Sequence, residues 1–236
     1  MIWMKIYPIR AFSDNYIWVI EKDKEAIVID PGEGSQVMEY LANEELELKA
    51  ILLTHNHDDH IGGVLELYEK YPDIAIYGPG ETAPLVNHTV KEGDSFQILG
   101  ETFRVLLTAG HTAGHISYLM GEQLFCGDAL FSGGCGRVFT GDYQAQFDAL
   151  QKFKQLDDAV KVYAAHEYTL TNLNFALSVE PNNKIIREFF GDMKDRRDKD
   201  EPTLPSTIGR EKEINLFLQA DSVETFKTLR DGRDQF

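Results

Sequence analysis

The stretch "LLTHNHDDHIGG" (52–63) constrains this chain most, because five ionisable side chains fall within six positions directly after an apolar run. They are His55, His57, Asp58, Asp59 and His60. A protein core cannot absorb so many ionisable groups unless each finds a partner. Histidine is the commonest metal-binding side chain, and imidazole together with carboxylate suits zinc, iron or manganese. The spacing therefore predicts a metal site where a strand ends.

Four further candidate ligands lie at or just after predicted strand ends. His111 ends "LLTAGH", His115 follows four residues later, Asp128 ends "LFCGD" and His166 ends "KVYAAH". Ligands gather where the strands of an α/β sheet end, so these distant positions can converge. Taken singly, each histidine is more often a structural residue, and we interpret His88 in that way. Six of the seven histidines lie in strand-end motifs, and this joint pattern favours a metal site.

Composition excludes several classes of function. A formal net charge of −16 argues against a general binder of nucleic acid or of anionic membranes, although a local basic patch could still hold a small anion. No stretch approaches the roughly 20 apolar residues that span a bilayer, and the start "MIWMKIYPIR" predicts neither a signal peptide nor a transit peptide. Two cysteines, Cys126 and Cys135, cannot form a disulfide framework. We expect reduced, packed thiols and a cytoplasmic protein.

The pattern along the chain predicts two regions. The first half reads as short β-runs punctuated by glycines, with a hairpin formed by 15–20 and 25–30 and a fully buried strand at 48–54. From Glu167 onward the pattern becomes helical. We therefore predict an α/β catalytic domain at 1–165 and a C-terminal helical substrate-binding region at 166–236.

Four phrases resemble one known group of enzymes. "THNHDDHIGG", "TAGHTAGH", "CGDALFSGGCGR" and "AHEYTLTN" are similar to the metallo-β-lactamase-fold hydrolases, and within them to glyoxalase II, the hydroxyacylglutathione hydrolases. The histidine cluster is specific only to the superfamily, whereas "GGCGR", "HEYT" with its following asparagine and the basic C-terminal helix are specific to glyoxalase II. The resemblance implies an α/β (α+β) fold, an αββα sandwich of two mixed sheets with a C-terminal helical domain.

The resemblance also implies a centre of two divalent metal ions, zinc first, with iron or manganese accepted by the same residues. One metal would be held by His55, His57 and His111, the other by Asp59, His60 and His166, and Asp128 would bridge them. Asp59 and Asp128 thereby count as catalytic, as does His115, which either supports the ligands or packs beneath them. Asp58 falls outside this pattern, and we assign it to a helix N-terminus, where a negative charge is favourable.

The chemistry implied is the hydrolysis of S-D-lactoylglutathione, a 2-hydroxyacyl thioester, to glutathione and D-lactate. This is the second step of methylglyoxal detoxification, and a hydroxide between the two metals would attack the thioester carbonyl. The glutathione pocket would be formed by Arg137, Phe139, Tyr168, Asn172, Arg230 and Arg233. Phe139 stands where the family commonly has a tyrosine, so we expect weaker binding rather than another reaction.

Other functions fit the sequence less well. The nearest alternative is a glutathione persulfide dioxygenase with one iron, which we would not expect to carry the helical region from "EPTLPST" to "DQF". A β-lactamase would often have cysteine at position 128, and an RNA-processing nuclease fits poorly with the net charge. A non-enzymatic metal-binding or glutathione-binding module is the remaining class. We expect a monomer with a small-molecule substrate and with neither nucleic acid nor membrane as partner.

Overall fold

The computed structural model describes residues 4–236 and combines two mixed β-sheets with helices, as the sequence predicts. The chain divides into two compact units. Unit 1 comprises Met1–Leu107 and Gly114–Gly121, and unit 2 comprises Thr108–Ala113 and Glu122–Phe236. The domain boundary expected after residue 165 stays a prediction, and the first three residues of that domain lie outside the described range.

Within the described residues 4–107 and 114–121, unit 1 contains nine strands, three α-helices and one turn of 3-10 helix, Gly80–Thr82. Its strands are β1 (Lys5–Ala11), β2 (Asn15–Lys22), β3 (Glu25–Ile29), β4 (Glu47–Leu52), β5 (Ala75–Gly78), β6 (His88–Thr89), β7 (Ser95–Ile98), β8 (Glu101–Leu107) and β9 (Ile116–Met120). Its helices are α1 (Gly34–Asn43), α2 (Asp58–Ile61) and α3 (Val64–Lys70).

Strand pairing in unit 1 brings the ends of β3 and β4 together. β1, β2 and β3 are antiparallel, which confirms the predicted hairpin, whereas β3, β4, β5 and β6 are parallel. β7, β8 and β9 pair antiparallel. Residues 50–53 of the apolar run are fully buried, as expected of a parallel strand covered on both faces. Because Ile29 pairs with Leu52, Asp30 and Leu53 leave the sheet side by side.

Unit 2 contains three strands and six helices. Its strands are β10 (Gln123–Gly127), β11 (Lys161–Ala164) and β12 (Ser206–Thr207). Its helices are α4 (Tyr143–Lys154), α5 (Thr169–Val179), α6 (Lys184–Asp198), α7 (Ile208–Ile214), α8 (Leu216–Gln219) and α9 (Val223–Gln235). Within residues 4–236, no helix is both long enough and apolar enough to cross a membrane.

Two candidate ligands leave unit 2 at one edge. β10 and β11 are parallel, and Gly127 pairs with Ala164, so Asp128 and His166 follow neighbouring strand ends. The region after Glu167 consists of five helices joined by loops, with β12 as a two-residue strand, in line with the predicted helical pattern. These helices pack around a small apolar core that includes Leu173 and Ile186.

The turn at 131–134 is held by a buried carboxylate and a buried amide. Glu211 is fully buried on α7, where its Oε2 accepts a hydrogen bond from the Gly133 N–H at 2.8 Å and its Oε1 accepts one from the Ser206 hydroxyl at 2.5 Å. Asn215 donates from Nδ2 to the carbonyls of Phe131 and Gly134 at 3.2 and 2.9 Å. These bonds fix the segment between Asp128 and Arg137.

Replacing Glu211 should test this anchor. Glu211→Ala leaves buried donors unpaired, so we expect it to lower the free energy of unfolding by about 3 kcal/mol, whereas Glu211→Gln retains the shape and should cost less. Denaturant titration of each variant measures this difference. Equal losses would show that volume alone matters at this position.

The stability of the wild type should also depend on the charge of Glu211. Burial raises the pKa of Glu211 although Ser206, Gly133 and Asn215 donate to it. A folded-state pKa above the unfolded value contributes stability that is full below the unfolded pKa and is lost as pH rises through the folded pKa. The wild type should therefore gain stability relative to Glu211→Gln on moving from pH 7 to about pH 4. A stability difference that does not change with pH would contradict this assignment.

Candidate metal centre and substrate pocket

The histidine cluster occupies the loop after β4 and the single helical turn α2. His55 and His60 are fully buried, while His57 and Asp59 are half-buried. His57 is the extended residue that precedes α2, and Asp58 and Asp59 lie in the first turn of that helix. Asp58 is exposed there, as predicted for a residue that only stabilises the helix N-terminus.

A buried aspartate that sequence reasoning missed orients this cluster. The Oδ1 atom of Asp30 accepts a hydrogen bond from the Thr54 N–H at 2.8 Å, and its Oδ2 atom accepts one from the Thr54 hydroxyl at 2.7 Å. His60 donates from Nδ1 to the same Oδ2 at 2.9 Å. Asp30, His55 and His60 offer ligand atoms within 4.8 Å of one another, but the contacts of Asp30 assign it to orienting ligands rather than to binding a metal.

These contacts determine which ring nitrogen each buried histidine presents. The single hydroxyl proton of Thr54 goes to Asp30, so Thr54 Oγ1 must accept from Nδ1 of His55, which lies 2.9 Å away. With Nδ1 protonated in both His55 and His60, Nε2 of each neutral ring is the unprotonated nitrogen, the form that binds a metal. Nε2 of His55 lies 3.1 Å from Nδ1 of His57.

Asp59 has its own support. Asn15, buried at the start of β2, donates from Nδ2 to Oδ2 of Asp59 at 2.9 Å, and the same oxygen lies 3.5 Å from Nε2 of His60. Gly32 lets the loop after β3 approach closely, because a Cβ there would lie 1.9 Å from the carbonyl oxygen of Asp59. Asn15 and Gly32 therefore fix the Asp59 side chain and backbone respectively.

His115 is buried against the same cluster. Its ring stacks on that of His55, with centroids 4.8 Å apart and an interplanar angle of 29°. This stacking contact accords with a residue that packs beneath the predicted ligands, one of the two roles that the sequence left open.

In unit 2, Asp128 lies between two histidines. Oδ2 of Asp128 is 3.3 Å from Nε2 of His111, and Oδ1 is 3.4 Å from Nε2 of His166. His111 donates from Nδ1 to the carbonyl oxygen of Arg137 at 2.8 Å, so its Nε2 is again the unprotonated nitrogen. Gly136 permits this packing, because a Cβ there would lie 2.1 Å from the Asp128 carbonyl oxygen.

The donor set of each unit fits a divalent cation. Hydrogen bonds at Nδ1 fix the ring orientation of His55, His60 and His111 and leave Nε2 of each ring for a metal. The carboxylates of Asp59 and Asp128 add oxygen atoms to these sets. Zinc, iron and manganese all accept nitrogen and oxygen ligands of this kind. The His/Asp clusters are therefore suited to binding divalent metal ions.

Two aromatic residues of the predicted glutathione pocket pack against histidines that the sequence predicts to be metal ligands. Tyr168 stacks on His166, with centroids 4.7 Å apart and an interplanar angle of 8°. Phe139 makes an edge contact with His111 at 5.2 Å, while 62% of its surface stays exposed. The exposed face of Phe139 is therefore open to a ligand beside His111.

The polar residues of that pocket differ in accessibility. Asn172 is buried one helical turn after Tyr168, and it donates to the Ser132 carbonyl at 3.2 Å and accepts from Nε of Arg233 at 3.4 Å. Arg137 is exposed. Arg230 is only 5% exposed and donates to the Cys135 carbonyl at 2.7 Å. Arg230 and Arg233 share helix α9, as their spacing predicts.

The two cysteines are buried and free, in line with their predicted packing role. Burial raises the pKa of both Cys126 and Cys135, so both remain protonated thiols at neutral pH. The positive charge of Arg230 opposes this rise at Cys135 but does not reverse it.

We predict that Asp30→Asn weakens metal binding by about 10- to 100-fold, because it removes an anionic acceptor from Thr54 and His60. Asparagine tolerates the left-handed backbone of Asp30 (φ 52°), so the backbone should survive the change. Asp23→Asn is the matched control, since Asp23 has the same φ in the β2–β3 turn. Metal affinity is measured by competition with a chromogenic chelator. Equal affinities in the two variants would remove Asp30 from the ligand support.

Family models and individual relatives identify the same protein family for this chain. Residues 11–166 match the family model of the metallo-β-lactamase superfamily, and residues 167–236 match the model of the hydroxyacylglutathione hydrolase C-terminus. A hydroxyacylglutathione hydrolase from Haemophilus ducreyi is 53% identical over 234 residues, covering 99% of this chain and 100% of that protein. The same enzyme from Glaesserella parasuis matches with the same identity and coverage.

Solved structures share the fold at lower identity. The crystal structure of ETHE1 from Myxococcus xanthus has a TM-score of 0.75 at 26% identity and covers 97% of this chain and 90% of that one. The BLEG-1 B3 metallo-β-lactamase has a TM-score of 0.68 at 26% identity, covering 92% of this chain and 100% of that one.

Proposed function

This chain belongs to the hydroxyacylglutathione hydrolases of the metallo-β-lactamase superfamily, thioester hydrolases of the glyoxalase pathway, and we propose that its substrate is S-D-lactoylglutathione. The products are glutathione and D-lactate. The observation that carries the proposal is the C-terminal match at residues 167–236, since this region supplies most of the predicted glutathione pocket. The full-length relatives named hydroxyacylglutathione hydrolase, at 53% identity, favour the hydrolase over a persulfide dioxygenase.

We propose that seven side chains hold two divalent metal ions, with zinc as the first choice. They are His55, His57, Asp59, His60, His111, Asp128 and His166. When bound, the two ions would supply an activated water and a Lewis acid for the thioester carbonyl. The support from this chain is the orientation of its donors, because Thr54, Asp30 and the Arg137 carbonyl accept from Nδ1 of His55, His60 and His111 and leave Nε2 of each ring for a metal.

We propose that Asp128 would help to hold both ions, and its surroundings support this. Its two oxygens face two different imidazoles, and it follows the end of β10 beside the parallel β11. Asp59 differs, since Asn15 occupies a lone pair of its Oδ2 and so sets the direction in which that carboxylate binds.

The glutathione part of the substrate needs cations for its two carboxylates. We propose that the basic residues Arg137, Arg230 and Arg233 supply these charges, Arg230 from a buried position. Tyr168 and Asn172 supply polar contacts, and Phe139 supplies an apolar face. Arginine suits this role because its planar fork matches a carboxylate. Burial and the nearby charge of Arg230 lower the pKa of Arg233, which remains a cation at neutral pH.

Cytoplasmic location and a monomeric state stay predictions. Both concern the whole protein in its cell rather than the site, and each is tested directly by fractionation and by sedimentation.

Purified protein should hydrolyse S-D-lactoylglutathione, and a strong chelator should abolish the activity. Release of free thiol, followed with a disulfide reagent, measures the rate, and added zinc, iron or manganese should restore it. A thioester that lacks the glutathione moiety should react slowly or not at all. Oxygen uptake with glutathione persulfide, together with no thioester hydrolysis, would establish the dioxygenase instead.

Asp128→Ala should lose most of the activity and should also lower the metal content, because the residue is proposed to hold both ions. The loss should exceed 100-fold, the scale on which metal catalysis and ligand loss act. Asp148→Ala, an exposed position on α4 of the same unit, is the control. Elemental analysis and steady-state kinetics measure the two effects. Full metal content with unchanged kcat in Asp128→Ala would refute the proposed bridge.

A further inference from the structure

Near the end of α9, one carboxylate oxygen contacts two arginines. Oδ1 of Asp234 lies 2.8 Å from Nη2 of Arg230 and 3.2 Å from Nε of Arg137. About a quarter of the Asp234 side chain is exposed. Asp234 falls outside the pocket residues that the sequence predicts, although it stands directly beside Arg233.

Arg230 is the fixed partner in this group. Its Nη1 donates to the Cys135 carbonyl at 2.7 Å, its Nη2 donates to Asp234, and its guanidinium lies 5.2 Å from the centre of the Phe217 ring. Both terminal nitrogens are therefore engaged within the protein, and the side chain is only 6% exposed. In this arrangement Arg230 anchors Asp234 and the loop around Cys135.

Arg137 is the exposed partner by comparison. Its side chain is 55% exposed, and Asp234 contacts it through Nε. Within residues 4–236, its two terminal nitrogens form no hydrogen bond or ion pair, and its guanidinium lies 5.8 Å from the centre of the Phe139 ring. Those two nitrogens form the outer edge of the guanidinium, which can bind a carboxylate through two parallel hydrogen bonds. The backbone carbonyl of the same residue accepts from His111, so Arg137 also lies beside a proposed metal ligand.

We propose that Asp234 is a positioning residue for substrate recognition: held by Arg230, it fixes Nε of Arg137 so that the terminal nitrogens of Arg137 face a carboxylate of the substrate. This inference rests on the proposed function, because it assigns the carboxylate to a glutathione thioester. Arg230 then acts on the pocket through Asp234.

Asp234 can position Arg137 because Asp234 is itself already held in place by Arg230. An exposed ion pair contributes little when both partners must lose rotamer freedom to form it. Here Asp234 is already immobilised by a buried arginine, so only Arg137 has to be ordered. The carboxylate also offsets the mutual repulsion of Arg137, Arg230 and Arg233, whose like charges lower the pKa of Arg233 while Asp234 raises it.

The opposite effect is also physically possible, and the experiment must separate the two. A carboxylate beside the pocket repels an incoming anion, so a residue that merely occupied Arg137 would lower affinity, and removing it would lower KM. A positioning residue has the reverse signature, because its removal raises KM while kcat stays nearly constant.

The test uses Asp234→Asn in the metal-loaded enzyme, with two substrates. One is S-D-lactoylglutathione and the other is its analogue with the glycyl carboxylate converted into an amide. We expect KM for the acid to rise about fivefold, the factor that corresponds to one well-ordered ion pair. KM for the amide should not change, so the discrimination between acid and amide should fall by the same factor.

Two further variants make the test specific. Asp231→Asn is the matched control, since Asp231 lies on the same helix but pairs with Lys227 and Tyr143; its KM values should equal those of the wild type. In an Arg137→Ala background, Asp234→Asn should produce no additional rise in KM for the acid, because the residue through which it acts is gone.

The outcomes test the role of Asp234 separately from the proposed thioester hydrolysis. A KM for the acid that stays constant or falls in Asp234→Asn would overturn the inference, as would equal rises for acid and amide, which indicate general disruption of the pocket. Hydrolysis by the wild type would meanwhile leave the proposed function standing. If the wild type hydrolysed neither thioester, the proposed function would fall, and the inference would fall with it.

Discussion

In unit 1, the segment of proposed metal ligands from His55 to His60 depends on the buried carboxylate of Asp30. Its two oxygens accept three hydrogen bonds, two from Thr54 and one from His60. The two bonds from Thr54 hold the chain where it leaves β4, and the bond from His60 fixes the orientation of that imidazole ring. Through the Thr54 hydroxyl, the same carboxylate also determines the tautomer of His55. One carboxylate therefore sets the backbone, one ring orientation and the tautomers of two imidazoles. This is possible because the parallel pairing of Ile29 with Leu52 brings β3 and β4 to one edge.

In unit 2, another buried carboxylate, that of Glu211, likewise fixes the backbone beside proposed site residues. Glu211 and its neighbour Asn215 hold the turn at 131–134 through its backbone groups. The turn connects Asp128 to Arg137, so the same bonds relate a proposed metal ligand to a proposed substrate contact. This burial disfavours the charged carboxylate. The pKa of Glu211 is raised because the effect of desolvation exceeds that of the hydrogen bonds that Glu211 accepts. Positioning of the site is thus obtained at some expense of stability near neutral pH.

The sequence predicts the local features of this site well and the distant supports poorly. The hexad from His55 to His60 is recognisable because its residues are adjacent, and the strand ends at Asp128 and His166 follow from apolar runs that end in a polar residue. Asp30 and Asn15 gave no such signal, because single polar residues beside a turn are common and their partners lie far along the chain. The positive φ of Asp30, before Pro31, is likewise a property of the folded backbone and not of the residue type.

The arginines show why a shared helix face is weaker information than a contact. Spacing correctly placed Arg230 and Arg233 on one helix, but it could not indicate that Arg230 turns inward to the Cys135 carbonyl. An arginine buried there must find acceptors for its donors, and Asp234 is one of them. A chain with a net charge of −16 can hold an anionic substrate only by keeping a few cations oriented at one place. Binding an anion therefore requires a few well-oriented cations rather than a positive net charge. In our proposal Asp234, which contacts both Arg230 and Arg137, provides that orientation.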